Sequence, residues 1–395
     1  MKGKIKKGNL ETCVIFLLTP FLSIPLIIIQ IKRGDSKLMG LLISCLLGIV
    51  SSKYVPSFSN DKARYIERVN ELSTFNYSDL LNYLRRVLRP DFIFDHFIFI
   101  FSKIGINFNI FFFLCTTFTV YSLFLFNLKV NKSHLSSFQL TVSSALLLIF
   151  SFSLPSLFSG VRFTLAASVF IWVIYYFFIK RNIVKGIFLV VLTIFTHFSF
   201  AFFIPVILLV FFLPKKINPK YLLLASFVFV ILPKEFVRNV FSFLNLPENY
   251  SYKINHYLSL YHKLSDNAEI LSFLNLLWLY FVSFYLLMLS KEIKNKFYLF
   301  IILSMAFVNV TFSMSDVFNR YSLFLKFIIT VYFIVLFTND RIKSKYFYMF
   351  FIFSFISFFI GIYVSRDNFV ASYINSSLLT LWTIFSNEIS QLNFL

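Results

Sequence analysis

Charged residues, glycines and cysteines are all scarce in this sequence. Only 14% of its 395 residues are Asp, Glu, Lys or Arg, whereas a soluble protein averages about 25%. The 9 Gly and 10 Pro exclude a collagen-like chain, and the 3 Cys are too few for a disulfide framework. The deficit of charge argues against a soluble fold. The few glycines and prolines exclude a fibrous protein, and the few cysteines exclude a disulfide-rich one.

Apolar side chains take the place of the missing charges. Hydrophobic residues make up 58% of the chain, and 59 residues are Phe. They form long unbroken runs instead of the alternating pattern of an outer-membrane barrel. The composition therefore predicts an all-α polytopic integral membrane protein, with residues 1–395 forming a single membrane domain of roughly 11–14 transmembrane or re-entrant helices.

The lengths of the apolar runs predict where the chain crosses the membrane, because a span needs about 20 residues. The run 186–213 is interrupted by Thr196-His197 and is flanked by lysines at both ends, so we expect it to turn round as two short helices. The run 92–104 is interrupted by charge and suits an interfacial or re-entrant helix. Full spans are predicted at 13–31, 38–54, 108–128, 138–157, 161–179, 270–290, 297–314, 322–338 and 346–364.

The basic residues predict the orientation of the chain. The net charge is +20, and much of it lies in six short clusters between apolar runs, which indicates cytoplasmic loops and not nucleic-acid binding. The loops 55–91 and 234–269 then face outward. The lysines of the N-terminal tail conflict with this orientation, and the opposite parity would put both long loops in the cytoplasm.

The first outward loop contains the first group of candidate residues. Asp61 and Arg64 are spaced i and i+3, so they would share a helix face and pair, with Tyr65 beside the cation. Guanidinium groups bind phosphate oxygens bidentately, and this loop is rich in arginine. The other interpretation is a solvated amphipathic helix whose arginines touch lipid headgroups. Asp91 and Asp95, spaced i and i+4, are either catalytic carboxylates or only neutralise nearby arginines. The remaining candidates of this region are Arg85, Arg86, Arg89, Asp91 and Asp95.

Two further candidates lie in strongly apolar sequence. Arg162 follows Gly160 at the start of a predicted span, where a cation is costly and usually faces a cavity; snorkelling to the interface is the alternative. His197 is a candidate general base or hydrogen-bond donor, and a structural histidine is its alternative.

The last candidates open another predicted helix. Asp316 is either a substrate ligand or a helix cap. Arg320 and Tyr321 are either substrate ligands or an interfacial anchor. The predicted topology places these three residues on the same outward side as the other candidates, which suits an anionic substrate.

Several familiar motifs are missing from the sequence. It has no Gly-Lys-Ser/Thr phosphate loop, no His-Glu-x-x-His or cysteine cluster for a metal, and no Asp-x-Asp pair. We therefore expect no cofactor and no metal, and a substrate that carries its own leaving group.

Three stretches resemble the EpsG-like branch of the O-antigen polymerase (Wzy) family. They are Pro56 to Tyr65, the run Gly160-Val161-Arg162-Phe163-Thr164-Leu165-Ala166, and Thr196-His197-Phe198-Ser199; Asn319-Arg320-Tyr321 extends the match. Phe163 stands where the family usually has Gln, and Ser59-Asn60-Asp61 replaces the common Gly-Thr-Asp.

The resemblance implies a metal-independent glycosyltransferase of the GT-C type in the bacterial inner membrane. It would act at the periplasmic face, moving a growing glycan from undecaprenyl diphosphate to the terminal sugar of the next lipid-linked oligosaccharide. On this hypothesis Arg162 and Arg320 bind the diphosphate, Arg64 and the 85–89 patch guide substrate, and His197 or Asp61 orients or deprotonates the acceptor hydroxyl. Its partners would be the lipid-linked oligosaccharide and the bilayer, and a regulator of chain length is left open.

Other classes of membrane protein fit the same residues. A flippase for the lipid-linked unit would also need an outward cationic cavity. An O-antigen ligase is a second enzymatic alternative. A purely structural membrane subunit is the third, and the arginine and histidine within apolar segments argue against it.

Overall fold

The computed structural model describes residues 7–56, 61–87, 92–105, 107–130, 138–213, 218–232, 236, 239, 277, 279–281, 295–339 and 342–374. All regular structure in these residues is helical, which confirms the predicted all-α class. The chain divides into two compact units, residues 1–200 with 361–395, and residues 201–360. The single membrane domain stays a prediction.

Unit 1 contains eleven numbered helices before residue 200 and one after residue 365. A π-helix at Tyr175–Ile179 follows α10, and a 3-10 helix at Phe198–Phe202 follows α11. The α-helices are α1 Lys7–Leu18, α2 Ile24–Lys32, α3 Ser36–Lys53, α4 Asp61–Ser73, α5 Tyr77–Val87, α6 Phe92–Ile104, α7 Phe108–Val130, α8 Phe138–Phe150, α9 Leu154–Ser159, α10 Val161–Ile174 and α11 Ile183–Thr196, with α18 Arg366–Ile374 near the C-terminus.

Unit 2 contains the remaining numbered helices of the described chain. Its helices are α12 Phe203–Phe212, α13 Pro219–Ser226, α14 Val228–Ile231, α15 Lys296–Val310, α16 Ser315–Thr338 and most of α17 Ser344–Val364. Ring pairs such as Phe297–Tyr332, with centroids 5.0 Å apart, join α15 to α16. A hydrogen bond of 2.9 Å from Asn309 Nδ2 to Ser226 Oγ joins α15 to α13.

Five helical segments within the described residues are long and apolar enough to cross a membrane. Six shorter apolar helices accompany them, so the two groups together reach the lower end of the predicted helix number. The predicted span 270–290 lies largely outside the described residues. The five are Ser36–Lys53, Phe108–Val130, Val161–Ile179, Val317–Thr338 and Ser344–Val364.

Two predicted spans are wrong, because each is broken where proline enters the run. The run 13–31 forms two helices: α1 ends at Leu18, Pro20 follows, and α2 restarts at Ile24. The run 138–157 also breaks, since α8 ends at Phe150 and the short α9 begins again with Pro155 in its first turn. Proline removes a backbone donor from a helix interior but is accommodated in a first turn.

Glycines allow a close contact between α3 and α7 in unit 1. A Cβ on Gly40 would lie 2.2 Å from the ring of Phe124, and one on Gly48 would lie 2.3 Å from Thr117 Oγ1. The register, in which residue 40 meets 124 and residue 48 meets 117, makes the two helices antiparallel. Small residues allow this approach of backbones, as in other membrane helix pairs.

Helices α7 and α10 run in the same direction. Ser122 Oγ donates to the carbonyl of Ser168 at 3.2 Å and accepts from Trp172 Nε1 at 2.7 Å. One turn further along, the ring of Phe126 in α7 meets that of Tyr175, the first residue of the π-helix, with centroids 6.2 Å apart. These contacts fix the register of the pair.

Helix α11 returns antiparallel to α10. Near one end the ring of Phe163 meets that of His197, and near the other a Cβ on Gly186 would lie 2.8 Å from the ring of Phe177.

The termini of α3, α7, α10 and α11 therefore collect at two opposite ends of unit 1. The C-termini of α3 and α11 and the N-termini of α7 and α10 form what we call the site end. The N-termini of α3 and α11, the C-terminus of α7 and the end of the π-helix form the basic end, where lysines and arginines collect.

Candidate active site

The first helix of the early loop, α4, begins at the predicted pair. Asp61 is its first residue, and its carboxylate forms a salt bridge with Arg64 one turn later, as the spacing predicts. The Arg64 side chain is 60% exposed, so the guanidinium stays open to solvent on the outer side of this pair. An acidic residue in a first turn also interacts favourably with the helix dipole.

A buried lysine joins α4 to the end of α3. Lys62 is fully buried, and its Nζ donates to the carbonyl oxygens of Ser51 and Tyr54 at 2.7 Å and of Ser52 at 3.2 Å. These bonds satisfy carbonyls that a helix C-terminus leaves without partners. Burial lowers the pKa of Lys62 well below its usual range, and the Lys53 ammonium lowers it further. The three acceptors act in the opposite direction, because they stabilise the protonated form.

A buried ion pair joins α4 to α6. Arg68 Nε lies 3.3 Å from Asp95 Oδ1, with only 11% and 3% of the two side chains exposed. The guanidinium carbon also lies 4.5 Å from the ring centroid of Tyr83. Arg68 Nε and Nη2 and Asp95 Oδ2 have no hydrogen-bond partner in the described chain. Asp95, predicted either as a substrate-site carboxylate or as one that neutralises a nearby arginine, pairs with Arg68, which is not among the predicted site residues.

Aromatic and aliphatic packing ties these helices to α10. The ring of Tyr65 meets that of Phe94 at 5.1 Å, and both belong to a buried cluster that includes Val161 and Leu165. Tyr65, predicted as a substrate contact beside Arg64, is 8% exposed and points into this core. Its contact with substrate stays a prediction.

Arg162 lies in the first turn of α10, at the site end, and is half-buried. The close turn before it needs a glycine, since a Cβ on Gly160 would lie 2.9 Å from the carbonyl oxygen of Ser156. The first turn of a helix presents backbone N–H groups and a positive dipole. A cation in this position makes the region favourable for an anion.

His197 breaks the helix at the predicted place. Helix α11 ends at Thr196, and His197 is extended with φ −151° while its N–H donates to the carbonyl of Thr193 at 2.9 Å. Its imidazole is 8% exposed. The Nδ1 atom accepts the N–H of Ser199 at 3.3 Å and lies 2.8 Å from Ser199 Oγ.

The contact with a backbone N–H assigns the histidine tautomer. A backbone N–H can only donate, so Nδ1 of His197 is an acceptor and the neutral ring carries its proton on Nε2. In this state Nε2 is a hydrogen-bond donor. The arrangement favours donation to a substrate oxygen over proton abstraction by the same nitrogen.

Two ring contacts bring the candidate elements of unit 1 together. Phe163, next to Arg162, stands at 85° to the His197 ring with centroids 5.7 Å apart. Phe92, at the start of α6, lies 4.6 Å from Phe195, two residues before His197. The elements that carry Asp61, Asp95, Arg162 and His197 therefore all meet at the site end.

The unit 2 candidates lie at the start of α16. Arg320 is exposed, and the ring of Tyr321 stacks on Phe202 with centroids 4.0 Å apart. The helix begins at Ser315, so the alternative of Asp316 as its N-cap is wrong: the cap residue is Met314. The side chain of Asp316 lies outside the described residues. The shared pocket of Arg320 with the unit 1 residues stays a prediction.

The arginine patch is only partly described. Arg85 and Arg86 are exposed in the last turn of α5. Arg89 and Asp91 lie outside the described residues. A basic last turn interacts favourably with the helix C-terminus, which is the role these two arginines have independently of any substrate.

Arg68, Lys62 and Lys326 have little exposed charge and were not predicted as site residues, although a signal existed for two of them. Arg68 follows Arg64 by four residues and so shares its helix face. Lys326 is the single cation of the apolar run 322–338, and its Nζ donates to Ser357 Oγ at 2.8 Å; a cation in a span is by default a functional hypothesis. Nothing in the sequence indicated that Lys62, within a charged loop, would be fully buried.

The fold and this site define a polytopic α-helical membrane protein with charged residues collected at one end of its first unit. The model of the EpsG family matches residues 37–375, and the chain belongs to that family. The family includes O-antigen polymerase-like proteins. Membership in it is consistent with glycosyltransferase or polymerase activity in a membrane. No curated protein and no solved structure matches the chain.

Proposed function

We propose that the protein is a polymerase of bacterial surface polysaccharide, a metal-independent glycosyltransferase of the cytoplasmic membrane. It transfers the growing glycan from undecaprenyl diphosphate to the terminal sugar of the next lipid-linked repeat unit at the periplasmic face. The observation that carries the proposal is the meeting of α4, α6, α10 and α11 at the site end, with their carboxylates, arginine and histidine.

The reaction needs no external energy source. An acceptor hydroxyl oxygen attacks the anomeric carbon of the donor glycan, and a new glycosidic bond forms. The bond from that carbon to the diphosphate oxygen breaks, and its electron pair leaves on the lipid diphosphate. The hydroxyl proton passes to a carboxylate, for which Asp61 is the candidate because its side chain is partly exposed at the first residue of α4.

The cations stabilise the leaving group. Negative charge develops on the diphosphate oxygen in the transition state, where fixed donors have their largest effect. Arg162 contributes a guanidinium at the N-terminus of α10. His197 contributes its Nε2–H, consistent with the tautomer that Ser199 supports. Arg320 is assigned to the same diphosphate on the family resemblance.

The test is the polysaccharide ladder of a deletion strain that expresses each variant. We expect His197→Ala and Arg162→Ala to lower the rate of chain extension by about 100-fold or more, the usual range for an acid–base or oxyanion group. Arg33→Ala, an exposed arginine after the last residue of α2, is the matched control and should retain the ladder. Protein levels in the membrane fraction must be equal.

The deletion phenotype separates the alternatives. A polymerase null leaves single repeat units on the surface acceptor. Repeat units that accumulate on the cytoplasmic side would show a flippase, and polymer stranded on its lipid carrier would show a ligase. Normal ladders from both the Arg162 and His197 variants would overturn the proposed mechanism.

A further inference from the structure

Four cations crowd the basic end of unit 1. Lys129 lies in the last turn of α7, Lys180 and Arg181 follow the π-helix, and Lys185 lies in the first turn of α11. All four are exposed, and within the described residues none has a carboxylate at salt-bridge distance. The sequence has no Asp or Glu between Asp95 and Glu235. We call these four residues the basic cluster.

Aromatic rings hold two members of the basic cluster. Lys129 Nζ lies 5.2 Å from the ring centroids of both Trp172 and Tyr175. Lys185 Nζ lies 5.6 Å from that of Tyr176. Cations above ring faces are attracted by the ring quadrupole. The two ammonium groups are thereby held beside the end of the π-helix and not spread freely into solvent.

The backbone of Arg181 is strained. Its φ is +55°, in the left-handed region that favours glycine, and it is the only non-glycine residue with positive φ in the described chain. The turn is closed by the N–H groups of Lys180 and Asn182, which donate at 2.8 Å to the carbonyls of Tyr175 and Tyr176. Glycine would fit this turn without strain, yet the position has an arginine. Strain of this kind concentrates at functional sites.

An apolar surface adjoins the basic cluster. Val184, Ile187 and Phe188 are 79%, 54% and 68% exposed and share one face of α11 beside Lys185. A small inorganic anion would contact the cations only. A molecule with a charged head and hydrocarbon chains would contact both surfaces, in the manner of helices at a membrane interface.

We propose that the basic cluster is a binding site for an anionic glycerophospholipid. The phosphate of the headgroup lies among Lys129, Lys180, Arg181 and Lys185, and the acyl chains lie along the exposed face of α11. Each lysine or arginine near an anionic membrane surface contributes about five-fold in affinity, from the usual energy per charge. This site is independent of the proposed polymerase activity.

The test uses the purified full chain in neutral detergent. We expect phosphatidylglycerol to bind at least about ten-fold more tightly than phosphatidylcholine, measured by native mass spectrometry and by the rise in melting temperature. Lys129→Ala and Lys185→Ala should each weaken phosphatidylglycerol binding by about five-fold. Lys37→Ala, an exposed lysine of the same end outside the cluster, is the matched control.

Arg181→Gly separates a lipid site from a merely structural turn. It removes the charge and also the strain, so the lipid-free melting temperature should stay equal or rise while the affinity for phosphatidylglycerol falls. Equal binding of the two lipids, or unchanged affinity in Arg181→Gly, would overturn the proposal. Stabilisation by inorganic phosphate as strong as that by phosphatidylglycerol would show a free-anion site and equally overturn the lipid assignment.

Discussion

The ring of Phe163 stands edge-on to the imidazole of His197, with centroids 5.7 Å apart and planes at 85°. This contact joins the helix that carries Arg162 to the helix that ends at His197. Aromatic pairs of this geometry contribute about 0.5–1.5 kcal/mol beyond their burial. The histidine is therefore oriented from two sides, by this ring and by Ser199.

Replacing Phe163 tests whether the orientation matters. Phe163→Leu keeps an apolar side chain but removes the ring, so we expect unfolding free energy to fall by about 1 kcal/mol and chain extension to slow several-fold. Phe163→Tyr keeps the ring and should behave as the unchanged protein. The measurements are detergent-solubilised thermal unfolding and the polysaccharide ladder. Equal ladders from the Leu and Tyr variants would show that the ring contact does not orient His197.

The Arg68–Asp95 pair predicts strong coupling between its two members. Removing one partner leaves the other charge buried, so Arg68→Met and Asp95→Leu should each lower the free energy of unfolding by about 3–5 kcal/mol. Because three polar atoms of the pair have no hydrogen-bond partner in the described chain, the double variant should be as stable as the unchanged protein, or more so.

The same double variant separates structure from chemistry. If Asp95 contacts substrate, the stable Arg68→Met/Asp95→Leu protein will still fail to extend chains. A fully active double variant would remove Asp95 from the substrate site. Single variants as stable as the unchanged protein would contradict a buried ion pair.

Lys62 is predicted to be a structural anchor of the first loop. Lys62→Met removes three hydrogen bonds to the end of α3, and we expect unfolding free energy to fall by about 2–4 kcal/mol. Lys37→Met, an exposed lysine, should change it by less than about 0.5 kcal/mol. A Lys62→Met protein of unchanged stability would show that the carbonyls of α3 find other donors.

The lowered pKa of Lys62 also predicts a dependence on pH. Between its folded pKa and the ordinary value of 10.5, the unfolded chain binds more protons at this residue than the folded chain. The contribution of Lys62 to the free energy of unfolding therefore rises with pH across that window and is constant below it. The difference in unfolding free energy between the unchanged protein and Lys62→Met should widen accordingly. A difference that shrinks as pH rises would mean that the carbonyl acceptors hold the folded pKa above 10.5.

The α3–α7 contact predicts that a larger residue at Gly48 destabilises the protein. Gly48→Ala would bring a Cβ to 2.3 Å from Thr117 Oγ1 and 2.8 Å from the carbonyl oxygen of Phe113, so we expect a loss of about 1–3 kcal/mol. Gly361→Ala is the control, since its Cβ would lie 3.7 Å from Ser153 Cβ, an ordinary contact. It should be neutral or stabilise by up to about 1 kcal/mol. Equal melting temperatures for the two variants would contradict the close helix approach.

The sequence predicted the features of this fold that depend on local patterns. The polar pair Thr196-His197 between two basic flanks predicted that the run 186–213 is broken, and α11 ends at Thr196. The spacing of Asp61 and Arg64 predicted their pairing. The two broken spans contain prolines, and their prediction rested on run length alone. For α3, α7, α10, α16 and α17, hydropathy alone was sufficient.

Long-range pairings account for most of what the sequence did not reveal. Asp95 lies 27 positions after Arg68, and no local pattern links a carboxylate to one particular arginine among several. The burial of Lys62 depends on where the end of α3 lies, which only tertiary packing decides. The orientation of His197 depends on Phe163, a residue noted only as a departure from the family pattern.

The shortness of α11 has a consequence for how a lipid-anchored molecule could reach His197. Its 14 residues extend about 21 Å, whereas the hydrocarbon layer is about 30 Å thick. A helix that starts at one headgroup layer therefore stops well before the opposite one. On the proposed function, the polyprenyl tail of the substrate stays among the acyl chains while its polar head tilts sideways into the protein at that depth, and the whole molecule is not lifted into water.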